Sequence, residues 1–99
     1  RLDLKSVDGR VEKGGIALKV KCEGGAGGQS CRGRIELFHR GKRLQRSPYR
    51  AATGSTKEIF LPIGRGIDQL LAAQGKLPVR LVLSVAGKTT EHRDFILRR

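Results

Sequence analysis

A chain of 99 residues, 37% hydrophobic and lacking Trp and Met, has room for one domain with a modest core of Val, Leu and Ile. No apolar run approaches the roughly 20 residues of a membrane-spanning helix, which excludes that class of segment. Against 9 acidic side chains stand 21 basic ones, a formal net charge of +12 spread along the chain, and such a field attracts polyanions.

Leu2 and Leu4 alternate with Asp3 and Lys5, so a first strand is expected before the Asp8-Gly9 turn signal. Val11 begins a short continuation, and Lys13-Gly14-Gly15 turns the chain again. Ile16, Leu18, Val20 and Cys22 then fall at every second position, with Ala17, Lys19 and Lys21 between them. That period of two predicts a half-buried strand over 16–22. The stretch E-G-G-A-G-G-Q-S at 23–30 is a glycine-rich loop with no room for a helix. A strand over 34–40 turns Ile35 and Leu37 inward, in phase with Cys31, and Arg34, Glu36 and Phe38 outward. Gly41-Lys42 is the next turn.

The pattern weakens over 43–53, where Pro48 restricts any strand to a sheet edge or to a start beyond the proline. Over 57–63, Ile59, Leu61 and Ile63 share one face, and Pro62 again suggests an edge or a strand end. Ile67, Leu70, Leu71 and Gln74 break the rhythm with helical spacing. Asp68 stands in the first turn, where the helix dipole favours an anion, and Gly75 stands just past the end. One short helix over about 66–74 is predicted, crossing between sheets and plugging an end of the core. Val79, Leu81, Leu83 and Val85 alternate over 78–86, with Val82 an apolar residue on the outside. Phe95 and Leu97 share a phase over 91–98, with Arg93 just outside the core. Six to seven short strands with glycine at most corners predict an all-β, antiparallel sandwich; a small closed barrel also fits.

The only cysteines, Cys22 and Cys31, stand at the two mouths of the glycine-rich loop. A disulfide between them is expected, closing two antiparallel strands and fixing their register, with two free buried thiols as the alternative. A lone C-x8-C pair, with no partner spacing at His39 or His92, does not read as a metal site. The disulfide implies a secreted, extracellular or cell-surface location.

The segments K-V-K-C at 19–22, C-R-G-R-I-E-L at 31–37 and G-R-G-I-D-Q-L-L-A-A-Q-G-K-L-P-V-R-L at 64–81 resemble a recurring module. It is the immunoglobulin-like β-sandwich module found, often in tandem, in secreted and surface proteins of high-GC Gram-positive bacteria. The resemblance runs from Leu2 to Leu97 and rests on the two cysteines and the Leu-rich crossover. It implies a non-catalytic surface or accessory module, and carries no common ligand onto any residue. The chain departs from an antibody domain: the core Trp is missing, and the cysteines are expected to be too close in sequence to bridge two sheets.

The densest basic stretch is Arg32, Arg34, Arg40, Lys42, Arg43, Arg46 and Arg50, with only Glu36 against it. Guanidinium groups bind phosphate and carboxylate in bidentate fashion, which makes this stretch a candidate polyanion-binding surface. Charges also keep a sheet edge from pairing with another chain, and a solvated edge is the plainer reading. The glycines at 24–28 lack the Lys-Ser/Thr of a phosphate-binding loop. His92 and Asp94 share a strand face, but no nucleophile elbow, HExxH or paired-carboxylate pattern accompanies them. No enzyme activity, cofactor or metal is expected.

Residues 1–99 thus read as a single immunoglobulin-like β-sandwich domain within a larger multidomain extracellular protein, a spacer, adhesion or accessory module whose partners are the neighbouring domains of the same polypeptide. No membrane insertion is expected. The alternative is a basic binding module for an anionic polymer, an acidic cell-wall glycan or nucleic acid. A carbohydrate-binding accessory domain of an enzyme is a third reading. It requires an exposed aromatic platform, for which Phe38, Tyr49 and Phe60 are the candidates.

Overall fold

A computed structural model describes residues 2–22, 30–52, 54–85 and 88–99. The element order is β1 (Leu2–Val7), β2 (Gly15–Cys22), β3 (Ser30–His39), β4 (Lys42–Ala52), β5 (Thr56–Pro62), α1 (Arg65–Gln74), β6 (Lys76–Val85) and β7 (Lys88–Arg98). The strands form two antiparallel sheets, one in the order β1-β2-β5 and the other in the order β4-β3-β6-β7. The chain is therefore an all-β sandwich of three strands on four and not a closed barrel. Pairing of β2 with β5 in one sheet and of β3 with β6 in the other means that the chain passes between the layers after β2, after β4 and through the helix after β5.

Each sheet buries one face because each strand carries aliphatic residues at alternate positions. Ile16, Leu18 and Val20 of β2, Ile35 and Leu37 of β3, Leu61 of β5 and Leu77, Leu81 and Leu83 of β6 are all but inaccessible. Burying one such side chain contributes roughly 1.5–3 kcal/mol. Among the described residues no charged side chain and no polar one besides the Tyr49 hydroxyl is buried, so apolar packing dominates the core. The helix forms where helical spacing replaces alternation, and it caps the core with Ile67 and Leu71. It connects β5 in the three-stranded sheet to β6 in the four-stranded one, as its sequence predicts.

The structure corrects two expectations about the strands. β3 begins at Ser30, four residues before its predicted start, because Cys31 and Gly33 continue the inward phase of Ile35 and Leu37. More importantly, β2 and β3 do not pair. They lie in opposite sheets, so the Cys22–Cys31 disulfide ties the end of one sheet to the start of the other. Its Cα atoms are 5.9 Å apart, whereas stacked sheets lie roughly 10 Å apart, so the sheets converge at this end. Short sequence separation did not prevent a bridge between sheets, because strands joined by a single loop can still belong to different layers. The disulfide therefore fixes the separation of the layers and not a strand register. The glycines at 24–28 lie outside the described residues.

Pro48 lies within β4 without breaking it, because β4 is an edge strand and Pro48 has only one neighbouring strand, at Arg34. Pro62 ends β5, the edge of the other sheet. Both open sides of the sandwich are closed by side chains. On one side the Leu4 amide donates to Glu91 Oε2 at 2.6 Å, and Arg93 donates to the Leu4 carbonyl at 3.2 Å. Farther along that side the chain leaves the first sheet and runs beside β7, where the Val11 amide donates to the Arg98 carbonyl at 2.7 Å. On the other side Gln45 donates to the Pro62 carbonyl at 2.7 Å and Lys57 to the Arg50 carbonyl at 2.8 Å. These bonds occupy backbone groups that would otherwise invite another strand.

Tyr49 is the one aromatic residue in the buried core. It lies opposite Gly33 and reaches across it, with its hydroxyl donating to the Ser84 carbonyl at 3.3 Å. A Cβ at residue 33 would stand 1.9 Å from the Ser84 oxygen and 2.6 Å from the Tyr49 hydroxyl, so only glycine fits beneath the ring. Burial pushes the Tyr49 phenol up to about 12.

Replacing both cysteines by alanine should lower the unfolding free energy by about 2.5–3 kcal/mol, the loop-closure value for so short a loop, as measured by urea titration. Tyr49 is the only tyrosine and there is no Trp, so alkaline absorbance reports it alone. It should titrate near pH 12 folded and near 10 in urea, the ordinary value. Because the folded value is the higher one, its contribution to stability is complete below pH 10 and declines as pH rises toward 12. Tyr49→Phe should remove that part of the alkaline decline.

Candidate functional site

Strand alternation settles where the charges go. Once Ile35 and Leu37 face the core, Arg32, Arg34, Glu36 and Phe38 must face outward from β3. Register places Arg50 beside Arg32, Pro48 beside Arg34, Arg46 beside Glu36 and Arg43 beside Phe38. On the far side of β3, Ser84 neighbours Arg34, Val82 neighbours Glu36 and Arg80 neighbours Phe38. Asp94 lies beside Arg80, and Ile96 beside Pro78. The outer face of the four-stranded sheet thus gathers five of the seven predicted basic residues: Arg32, Arg34, Arg43, Arg46 and Arg50. Arg40 and Lys42 are not on the sheet face; they sit at the β3–β4 hairpin, where Arg40 and Gly41 adopt φ of 51° and 78°.

A bulge completes this gathering. The register shifts between Leu37, opposite Gln45, and Phe38, opposite Arg43, so β4 carries one extra residue, Leu44. Leu44 packs against the core and Arg43 comes onto the outer face. Simple alternation would have put Leu44 outside.

The face has two halves of different chemistry. Toward the disulfide end lie Arg32, Arg34, Arg46 and Arg50. Among the described residues none of these four guanidinium groups has an acidic partner within 4.0 Å. Arg32 and Arg50 stand directly opposite one another on neighbouring strands, an arrangement of like charges that destabilises a sheet. The single acid in this half, Glu36, is taken by Arg43 at 3.3 Å. In the other half, Arg80 and Asp94 form a two-pronged ion pair at 2.7 and 3.2 Å. The hydrogen bond from Arg80 holds the Asp94 carboxyl below the usual carboxylate range, and the same bond pushes the Arg80 guanidinium up. Beside this pair an open groove of about 810 Å³ runs over Phe38, Pro78, Val82 and Ile96, with Arg40 and Arg80 also in its lining.

The aromatic platform required of a carbohydrate-binding face does not form. Tyr49 is buried in the core, and Phe60 lies on the outer face of the three-stranded sheet, over Gly15. Only Phe38, half-buried, reaches the basic face. His92 is exposed on that face, and His39 donates from Nδ1 to the Pro78 carbonyl at 2.7 Å. Among the described residues no group of three or more His, Cys, Asp or Glu is arranged to hold a metal ion.

Arg80 and the groove were not singled out in the sequence. Their signal was present: Phe38, Val82 and Ile96 are apolar residues at outward positions of three adjoining strands, which becomes a patch only when β3, β6 and β7 are known to be neighbours.

Neither known protein-family models nor curated proteins give a match to this chain.

Asp94→Asn raises the formal charge from +12 to +13 and releases Arg80. The variant should elute from a heparin column at higher salt than Glu58→Gln, which makes the same charge change on the other sheet. Equal elution would show that position on this face makes no difference.

Proposed function

We propose that the chain is a non-catalytic module of a secreted or cell-surface protein, and that it holds an anionic polymer against the outer face of its four-stranded sheet. The observation that carries this reading is the cluster of Arg32, Arg34, Arg46 and Arg50, unpaired among the described residues and including one directly opposed pair. A fold that needs only solubility can intersperse both signs of charge; here like charges sit together at some cost. A polymer of phosphate, sulfate or carboxylate groups would relieve the repulsion and accept bidentate bonds from the guanidinium groups. The disulfide and the resemblance to immunoglobulin-like modules of bacterial surface proteins support the extracellular setting. An acidic glycan is favoured over nucleic acid, because bases are ordinarily gripped by stacked aromatic rings and this face offers Phe38 alone.

Conversion of Arg32, Arg34, Arg46 and Arg50 to Ser should abolish retention on heparin at moderate salt. It should also lower the slope of log affinity against log salt by about 3, at roughly 0.7–0.9 per charge neutralised. A control that removes Lys5, Lys13, Lys19 and Arg65 has the same net charge and should retain most of the affinity. If the two variants behave alike, the charge acts only in bulk and the chain is a spacer or adhesion module joined to its neighbouring domains.

A further inference from the structure

An anionic polymer accounts for the arginine-rich half of the face and leaves the groove beside it without an occupant. Its volume of about 810 Å³ falls within the roughly 300–1,000 Å³ of ordinary small-molecule sites. Its floor is Phe38, Pro78, Val82 and Ile96, and among the described residues Ile96 is one of two large hydrophobic side chains left substantially exposed, at 47%. Charged polymer units laid over that floor would lose water and gain no partner. Two cationic groups line the groove, and they differ. Arg80 is neutralised by Asp94, whereas Arg40 has no acidic partner among the described residues. The site therefore offers an apolar trough with one free guanidinium at its hairpin end.

We propose that this groove binds a single anionic amphiphile: an alkyl or acyl chain laid along Phe38, Pro78, Val82 and Ile96, with a terminal phosphate or carboxylate on Arg40. Each part of the ligand answers one part of the site. A short anion would leave the trough wet, and an uncharged chain would leave Arg40 unmatched. The apolar floor is an open groove bordered by Arg40, Arg80 and Asp94 and not a continuous apolar patch, which suits one dispersed molecule and not insertion into a bilayer.

The test is calorimetric titration of the chain with dodecyl phosphate below its micelle concentration. One molecule should bind per chain, and ethyl phosphate and dodecanol should each bind at least about tenfold more weakly. Ile96→Asp should weaken dodecyl phosphate by a similar factor. So should Arg40→Asn, a residue that tolerates the positive φ at this position. Circular dichroism confirms that both variants fold, and Ile96→Ser serves in place of Ile96→Asp if that variant does not. The variant lacking Arg32, Arg34, Arg46 and Arg50 should bind dodecyl phosphate as well as the parent, which separates this site from the polymer face. The proposal fails if dodecyl phosphate does not bind, if dodecanol binds equally, or if folded Ile96 variants bind normally. It fails too if the four-arginine variant loses binding, or if only anionic vesicles bind.

Discussion

Two aliphatic sheet faces buried against one another are the constraint on which the rest of this molecule depends. Among the described residues nothing polar besides the Tyr49 hydroxyl is buried between them, and the only aromatic ring in the core is that of Tyr49, laid over Gly33. Because strand side chains alternate, each inward commitment is also an outward one. Ile35 and Leu37 cannot face the core without exposing Arg32, Arg34, Glu36 and Phe38. The basic face is a consequence of core packing, read from the other side of the same strands.

The sandwich needs closure beyond its core, and two kinds of interaction supply it. At one end the Cys22–Cys31 disulfide holds the sheets closer than their usual spacing. Along both sides, side chains from one sheet bond to backbone groups of the other: Glu91 and Arg93 at Leu4, Gln45 at Pro62, and Lys57 at Arg50. Such bonds occupy edges that could otherwise add a strand. They leave the broad outer faces as the surfaces open to a partner, and of these the four-stranded one carries the arginines and the groove.

That outer face separates two chemistries that a linear reading merges. The seven basic residues between 32 and 50 look like one run, yet the fold sends five to the sheet face and two to the hairpin. Within the face, acids neutralise Arg43 and Arg80, while Arg32, Arg34, Arg46 and Arg50 lack acidic partners among the described residues. The residues proposed to attract a polymer and those proposed to seat an apolar chain are therefore neighbours but not the same. Each can be removed without the other.

The sequence by itself determined the strands, the helix and the disulfide partners, because these depend on local periodicity, on cap and turn residues, and on there being only two cysteines. Ile67 and Leu71 plug the core from the helix predicted there, and Pro48 and Pro62 lie on edge strands as their missing amides require. Which strands are neighbours was decided only by tertiary structure. A local pattern marks the inward face of a strand but not the sheet it joins, so β2 and β3 read as a hairpin when they belong to opposite layers. The bulge at Leu44 and the convergence of Phe38, Val82 and Ile96 were hidden for the same reason. Each depends on pairing between residues distant in the chain, and pairing energy is shared across strands and leaves little trace in any one of them.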